Sequence, residues 1–120
     1  MNIGKTGISG EDRVANFLRK KGAVIVKRNY SCRFGEIDII AEYNEYILFV
    51  EVKTRKSDSL ISGLEAVDAH KRERIMLTAK DYISKTKTSL QLRFDVACVT
   101  VLENEKGVTE YKLKYIKNAF

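Results

Sequence analysis

The stretch GEIDIIAEYNEYILFVEVK, Gly35 to Lys53, decides the fold. It holds two apolar-rich runs, Glu36–Tyr43 and Tyr46–Thr54, joined at Asn44-Glu45. Asparagine suits the first position of a tight two-residue turn, so the pattern predicts a β-hairpin. With the turn centred there, Ile37 faces Val52, Ile39 faces Val50 and Ala41 faces Leu48, which makes one face wholly apolar. On the other face Ile40 meets Phe49, Asp38 meets Glu51 and Glu36 meets Lys53. Directly opposed residues have Cβ atoms about 4.5–5.5 Å apart, where like charges destabilise a sheet. A divalent cation between Asp38 and Glu51 relieves that repulsion, because Mg²⁺ takes one or two carboxylates and completes its shell with water and phosphate oxygens. Lys53 projects from the same face about 6–7 Å beyond Glu51. Two acids and a lysine can thus hold a metal, orient its water and neutralise charge building on a phosphate.

Working outward toward the N-terminus, Ser31–Gly35 reads as a short basic loop and Ala23–Tyr30 as a strand. Before it, Ser9 and Asp12 open a helix whose apolar face is Val14, Ala15 and Leu18, and Gly22 stops it. Glu11 shares the stripe of Ala15 and Leu18, so an acid points inward at the helix start. Residues 1–8 carry no periodicity and are expected to fray. Toward the C-terminus, Arg55–Ile61 reads as a polar loop. Ser62 with Glu65 forms a capping box that opens a long helix to about Lys85. Its stripe of Val67, Ile75, Ala79, Tyr82 and Ile83 is broken around His70–Arg74. Leu92–Leu102 is a strand in which Arg93 and Asp95 read as a structural ion pair. The last strand, Thr109–Lys117, alternates Tyr111, Leu113, Tyr115 with Lys112 and Lys114, the pattern of a half-wet sheet edge. The order α-β-β-β-α-β-β predicts an α/β domain spanning residues 1–120, a mixed β-sheet flanked by helices.

Composition narrows the function classes. Twenty-two Lys and Arg against sixteen Asp and Glu give a net charge of +6, which favours a polyanionic partner, nucleic acid before a membrane surface. No apolar run approaches the ~20 residues that span a bilayer. The N-terminus lacks the apolar core of a secretory signal. One histidine, His70, and two cysteines, Cys32 and Cys98, far apart, argue against structural zinc. Reduced thiols fit a cytoplasmic setting. No Ser-His-Asp or Cys-His constellation is evident, so nucleophile activation rests on the carboxylates and Lys53.

The motifs Gly35-Glu36-Ile37-Asp38 and Phe49-Val50-Glu51-Val52-Lys53 resemble the core of the PD-(D/E)xK nucleases. More closely, Gly10 to Val101 is similar to the small bacterial YraN-type family, a group related to archaeal Holliday-junction resolvases. The likeness includes Gly10-Glu11 at the first helix, RNY at 28–30, GEIDIIA at 35–41, FVEVKTR at 49–55, the Lys71–Ile75 segment and RFDV at 93–96. The resemblance implies a restriction-endonuclease-like fold. It also implies Mg²⁺ or Mn²⁺ held by Asp38, Glu51 and the Val52 carbonyl, Lys53 as catalytic lysine, and Glu11 as the counterpart of a helix-borne acid. Glu36 supports that site.

Arg55, Lys56, Lys71, Arg72 and Arg74 form the best basic cluster, and Arg33 with Lys27 and Arg28 a second one. Arg33, Arg55, Lys71 and Arg74 are the expected nucleic-acid contacts, on DNA rather than RNA. Lys71 stands out because it lies four residues before Ile75, on the stripe facing the sheet. The leading expectation is a metal-dependent nuclease acting on DNA, branched or flapped DNA included. The alternatives are a non-catalytic nucleic-acid-binding module of the same fold and a small assembly partner that binds no polynucleotide. A homodimer follows only by analogy with the resolvases.

Overall fold

A computed structural model describes residues 9–56, 68–103, 105–107 and 109–120. The expected fraying of residues 1–8, the Arg55–Ile61 loop beyond Lys56 and the Ser62–Glu65 capping box lie outside the described residues.

Helix α1, Gly10–Lys20, starts where the sequence places it. The Ser9 hydroxyl accepts from the Asp12 amide at 3.1 Å, and acids in the first turn and bases in the last suit the helix dipole. After Lys21 the chain turns through Gly22 at φ +100°, a left-handed conformation that only glycine adopts without strain. Strands β1 (Val24–Cys32), β2 (Gly35–Tyr43) and β3 (Tyr46–Lys56) form a meander. Helix α2 (Ala69–Thr86) then crosses to β4 (Gln91–Glu103), and β5 (Thr109–Ile116) closes the chain. The sheet order is β1-β2-β3-β4-β5. Among the described strands only β3 and β4 run parallel, with α2 between them in the chain, as a parallel pair requires.

Three boundaries differ from expectation. Ser31 and Cys32 extend β1, and Cys32 pairs with Gly35, which leaves Arg33-Phe34 as a two-residue turn. Arg55 and Lys56 continue β3 beside β4 instead of starting a loop. The described helix α2 opens on Asp68, whose backbone is extended and whose carboxylate accepts from the Lys71 amide at 2.9 Å. A helix running unbroken from Ser62 is therefore corrected to one capped at Asp68.

The β2–β3 hairpin turns at Asn44-Glu45, with Asn44 at φ +53° and Tyr43 paired to Tyr46. Ala41↔Leu48, Ile40↔Phe49 and Ile39↔Val50 pair in the expected register. The ladder ends there. Asp38 Oδ2 takes the Val52 amide at 2.7 Å, so a side chain occupies the place of a strand carbonyl and the pairs Asp38/Glu51 and Glu36/Lys53 do not form. On β1 the register shifts between Ile25 and Lys27 and then holds to Cys32↔Gly35, with Asn29 at φ +53°. On β2 the side-chain phase changes between Ile37 and Ile39, and Ile37 packs on the face of Ile40, not on that of Ile39 as expected.

Two layers cover the sheet. Val14, Ala15 and Leu18 of α1 pack on Ile39, Ala41, Leu48, Val50, Ala97 and Val99, with Tyr111, Leu113 and Tyr115 of β5 at the margin. On the opposite face Ile75 and Ala79 of α2 pack on Ile37, Ile40, Ile47, Phe49, Val96 and Cys98. Phe49, Phe94 and Phe120 stack in series at 5.5 and 5.2 Å. The expected Arg93–Asp95 pair is present, with nitrogen–oxygen distances of 3.0 and 2.9 Å. Asp95 is fully buried and also accepts from the Tyr115 hydroxyl and the Asn118 amide, which ties the C-terminal residues to β4. Among the described residues no helix is long and apolar enough to cross a membrane.

Candidate active site

Where β2 and β3 part, the α2 face of the sheet opens into a cleft of about 600 Å³. Its walls are Gly35, Glu36 and Asp38 of β2, Glu51, Val52 and Lys53 of β3, and Asp68, His70, Lys71, Arg74 and Ile75 at the start of α2. The break in the apolar stripe of α2 at His70–Arg74 thus coincides with the turns that overhang the cleft instead of the core. His70 is exposed at the rim.

Alternation along β3 puts Phe49, Glu51 and Lys53 on one face, so the strand passes from core to charge without changing direction. Glu51 is only 7% exposed. Its Oε2 receives Lys53 Nζ at 3.3 Å and Lys71 Nζ at 2.5 Å. Asp38 lies beside it. Burial, then the negative charge of Glu51, push the Asp38 carboxyl up to about 7, against the pull of the Val52 amide; a hydrogen-bonding contact with Glu51 and the charge of Glu11 add to the rise. Burial and the adjacent Lys71 lower Lys53. For Lys71 burial opposes the charged form, but the bond to Glu51 prevails and the group is raised.

Asp38, Glu51, Val52, Lys53 and Glu36 are therefore brought together, with Lys71 and Arg74 facing them from α2. Glu11 stands apart. It accepts from Arg28 Nε at 2.8 Å and from Asn29 at 3.3 Å, while Asp12 takes Arg28 Nη2 at 2.7 Å. The inward acid of α1 is thus matched by an arginine of β1, and its influence on Asp38 is one of charge alone. Arg33 sits in the β1–β2 turn over the Phe34 ring. Arg55 is half-buried near the end of β3, level with Thr100 of β4. Sequence reasoning missed the Arg28 clamp and the sharing of Glu51 by two lysines. The position of Lys71 four residues before Ile75 was the available signal for the second.

Two adjacent carboxylates in a half-buried cleft suit a hard divalent cation. The donor set is all oxygen, the strain on Asp38 is what such a cation relieves, and the open volume admits the waters and phosphate oxygens that complete its shell. Among the described residues no group of three or more His, Cys, Asp or Glu gathers to hold a metal, so the cleft offers the pair Asp38 and Glu51. The arrangement fits Mg²⁺ or Mn²⁺ better than zinc.

Residues 10–99 match the family model described as Uncharacterised protein family UPF0102. A UPF0102 protein of Clostridium acetobutylicum is 44% identical over 117 residues, 97% of this chain and 93% of the relative. One from Caldanaerobacter subterraneus subsp. tengcongensis is 41% identical over 121 residues, covering 100% and 98%. Another, from Dictyoglomus thermophilum, is 38% identical over the full length of both chains.

Proposed function

We propose that this chain, which belongs to the uncharacterised protein family UPF0102, hydrolyses phosphodiester bonds of DNA with a divalent cation, Mg²⁺ or Mn²⁺, held by Asp38 and Glu51. The observation that carries the reading is the meeting of these two carboxylates with Lys53 in one open cleft. The likeness of Asp38 and Glu51-Val52-Lys53 to the PD-(D/E)xK core supports it, and supports kinship with the restriction-endonuclease-like superfamily.

In this reading Asp38 and Glu51 would hold the cation through their side chains, with the Val52 carbonyl as a third oxygen. A cation held there would supply Lewis acidity, polarising a water and offsetting charge on the phosphate. Lys53 holds the attacking water or donates to a non-bridging phosphate oxygen as charge builds there. The water oxygen forms the new bond to phosphorus as one ester P–O bond breaks, leaving an alcohol and a phosphate monoester. Arg74, Lys71 and Arg33 hold flanking phosphates, and Glu36 borders the site. Glu11 acts at a distance, by its charge. The free thiols of Cys32 and Cys98 fit a cytoplasmic setting.

One observation favours a second reading. Glu51 is already neutralised by two ammonium groups, as in a nucleic-acid-binding module that needs no metal. A panel of linear, branched, flapped and single-stranded DNA, with and without Mg²⁺ and Mn²⁺, separates the two. The nuclease reading predicts metal-dependent cleavage that Asp38→Ala and Lys53→Ala abolish while the fold survives. Salt-sensitive binding indifferent to metal and to Asp38 supports the module and refutes the nuclease.

A further inference from the structure

Glu51 Oε2 cannot keep both ammonium groups and also serve a divalent cation. Lys53 is fixed beside it on the same strand, with its side chain 20% exposed. Lys71 differs. It reaches down from the first turn of α2, its side chain is 38% exposed, and its backbone is pinned by the bond from its amide to Asp68. Its ammonium can swing into the cleft without any movement of the helix. Charge points the same way: Glu51 already meets two ammonium groups on one oxygen, and a divalent ion arriving there adds positive charge beside both. Repulsion then falls on the more mobile ammonium, and phosphate oxygens are the anions that would receive it.

Resting on the cleft reading above, we propose that Lys71 is a displaceable counter-ion: it neutralises Glu51 until a divalent cation takes that oxygen, then turns to a phosphate of the substrate. Metal binding and substrate binding are thereby coupled through one side chain, with Lys71 a positioning residue for the phosphate. The coupling is reciprocal, as linkage requires.

Binding of Mn²⁺, read from the loss of the free-ion signal in electron paramagnetic resonance without nucleic acid, tests this in the wild type, Lys71→Met and Asp38→Asn. Lys71→Met is expected to bind Mn²⁺ tighter by roughly fivefold or more, the scale of ordinary site coupling, and Asp38→Asn to lose binding. In the wild type, amine labelling of Lys71 followed by mass spectrometry should rise on saturation with Mn²⁺, with exposed Lys87 as a constant reference. Equal or weaker binding by Lys71→Met, or unchanged labelling of Lys71 at saturation, overturns the displacement and leaves the metal reading intact if Asp38→Asn still loses the ion. No Mn²⁺ binding in either the wild type or Lys71→Met overturns both.

Discussion

Asp38 is where local backbone structure and chemistry meet. Its carboxylate ends the β2–β3 ladder by taking the Val52 amide, and so opens the cleft that it lines. The same placement is costly. The folded chain holds the Asp38 proton up to about pH 7, and an unperturbed aspartate releases it near 3.8. Between these values the folded state binds more protons, so stability from this group is greatest at low pH, falls as pH rises through 7 and then levels off. Asp38→Asn removes that slope and can still accept from Val52. At pH 8 without metal the variant is expected to be more stable by roughly 1–3 kcal/mol, after allowance for solvent and the nearby ammonium groups. Thermal unfolding from pH 5 to 8 measures it, and a variant with the wild-type slope contradicts the account. That Asp38 and Glu51 share a site was legible from alternation about Asn44-Glu45. The side-chain bond to Val52 was not, because strand periodicity assumes that only the backbone pairs. Glu11 posed its own question in the sequence, and Arg28, seventeen residues away, answers it.

At the scale of elements, α1 depends on a close approach. A Cβ on Gly10 would lie 2.3 Å from Thr54 Oγ1, with the other two near atoms also on this β-branched side chain. Alanine is the better helix former, yet Gly10→Ala is expected to destabilise by about 1–2 kcal/mol, as overpacking does, because Thr54 is stiff at χ1. A denaturant double-mutant cycle with Thr54→Ala should recover most of the loss. A Gly10→Ala chain as stable as the wild type would show that α1 can slide away freely. The start of α1 was readable because Ser9 is a good cap followed by a periodic face. The start of α2 was less so, because Ser62 and Asp68 both offer capping oxygens. The broken stripe at His70–Arg74 carried the more useful information, since a helix leaves its apolar pattern where it covers a cleft instead of a core.

On the scale of the whole molecule, three basic groups stand against the acids of the cleft. Lys53, Lys71 and Arg74 line it and Arg33 lies in the β1–β2 turn, within a chain of net charge +6. DNA binding is expected to weaken as salt rises, each displaced phosphate counter-ion contributing about −0.9 to the log–log slope. Arg74→Ala and Arg33→Ala should each shallow it by about one. Fluorescence anisotropy across a salt series reads this, and an unchanged slope in both variants would move the DNA off this face. The order α-β-β-β-α-β-β and the edge position of β5 followed from alternating and helical periods. The docking of the last residues did not. Asn118, Ala119 and Phe120 are held by Asp95, the Phe94 carbonyl and the Phe94 ring, long-range partners that no local pattern announces.

The most direct test is an anomalous difference map at the manganese edge from crystals soaked in Mn²⁺. The account predicts a peak within bonding distance of one oxygen of Asp38 and one of Glu51, absent in Asp38→Asn. A manganese ion bound elsewhere, or cleavage by a protein whose two carboxylates hold none, would contradict it.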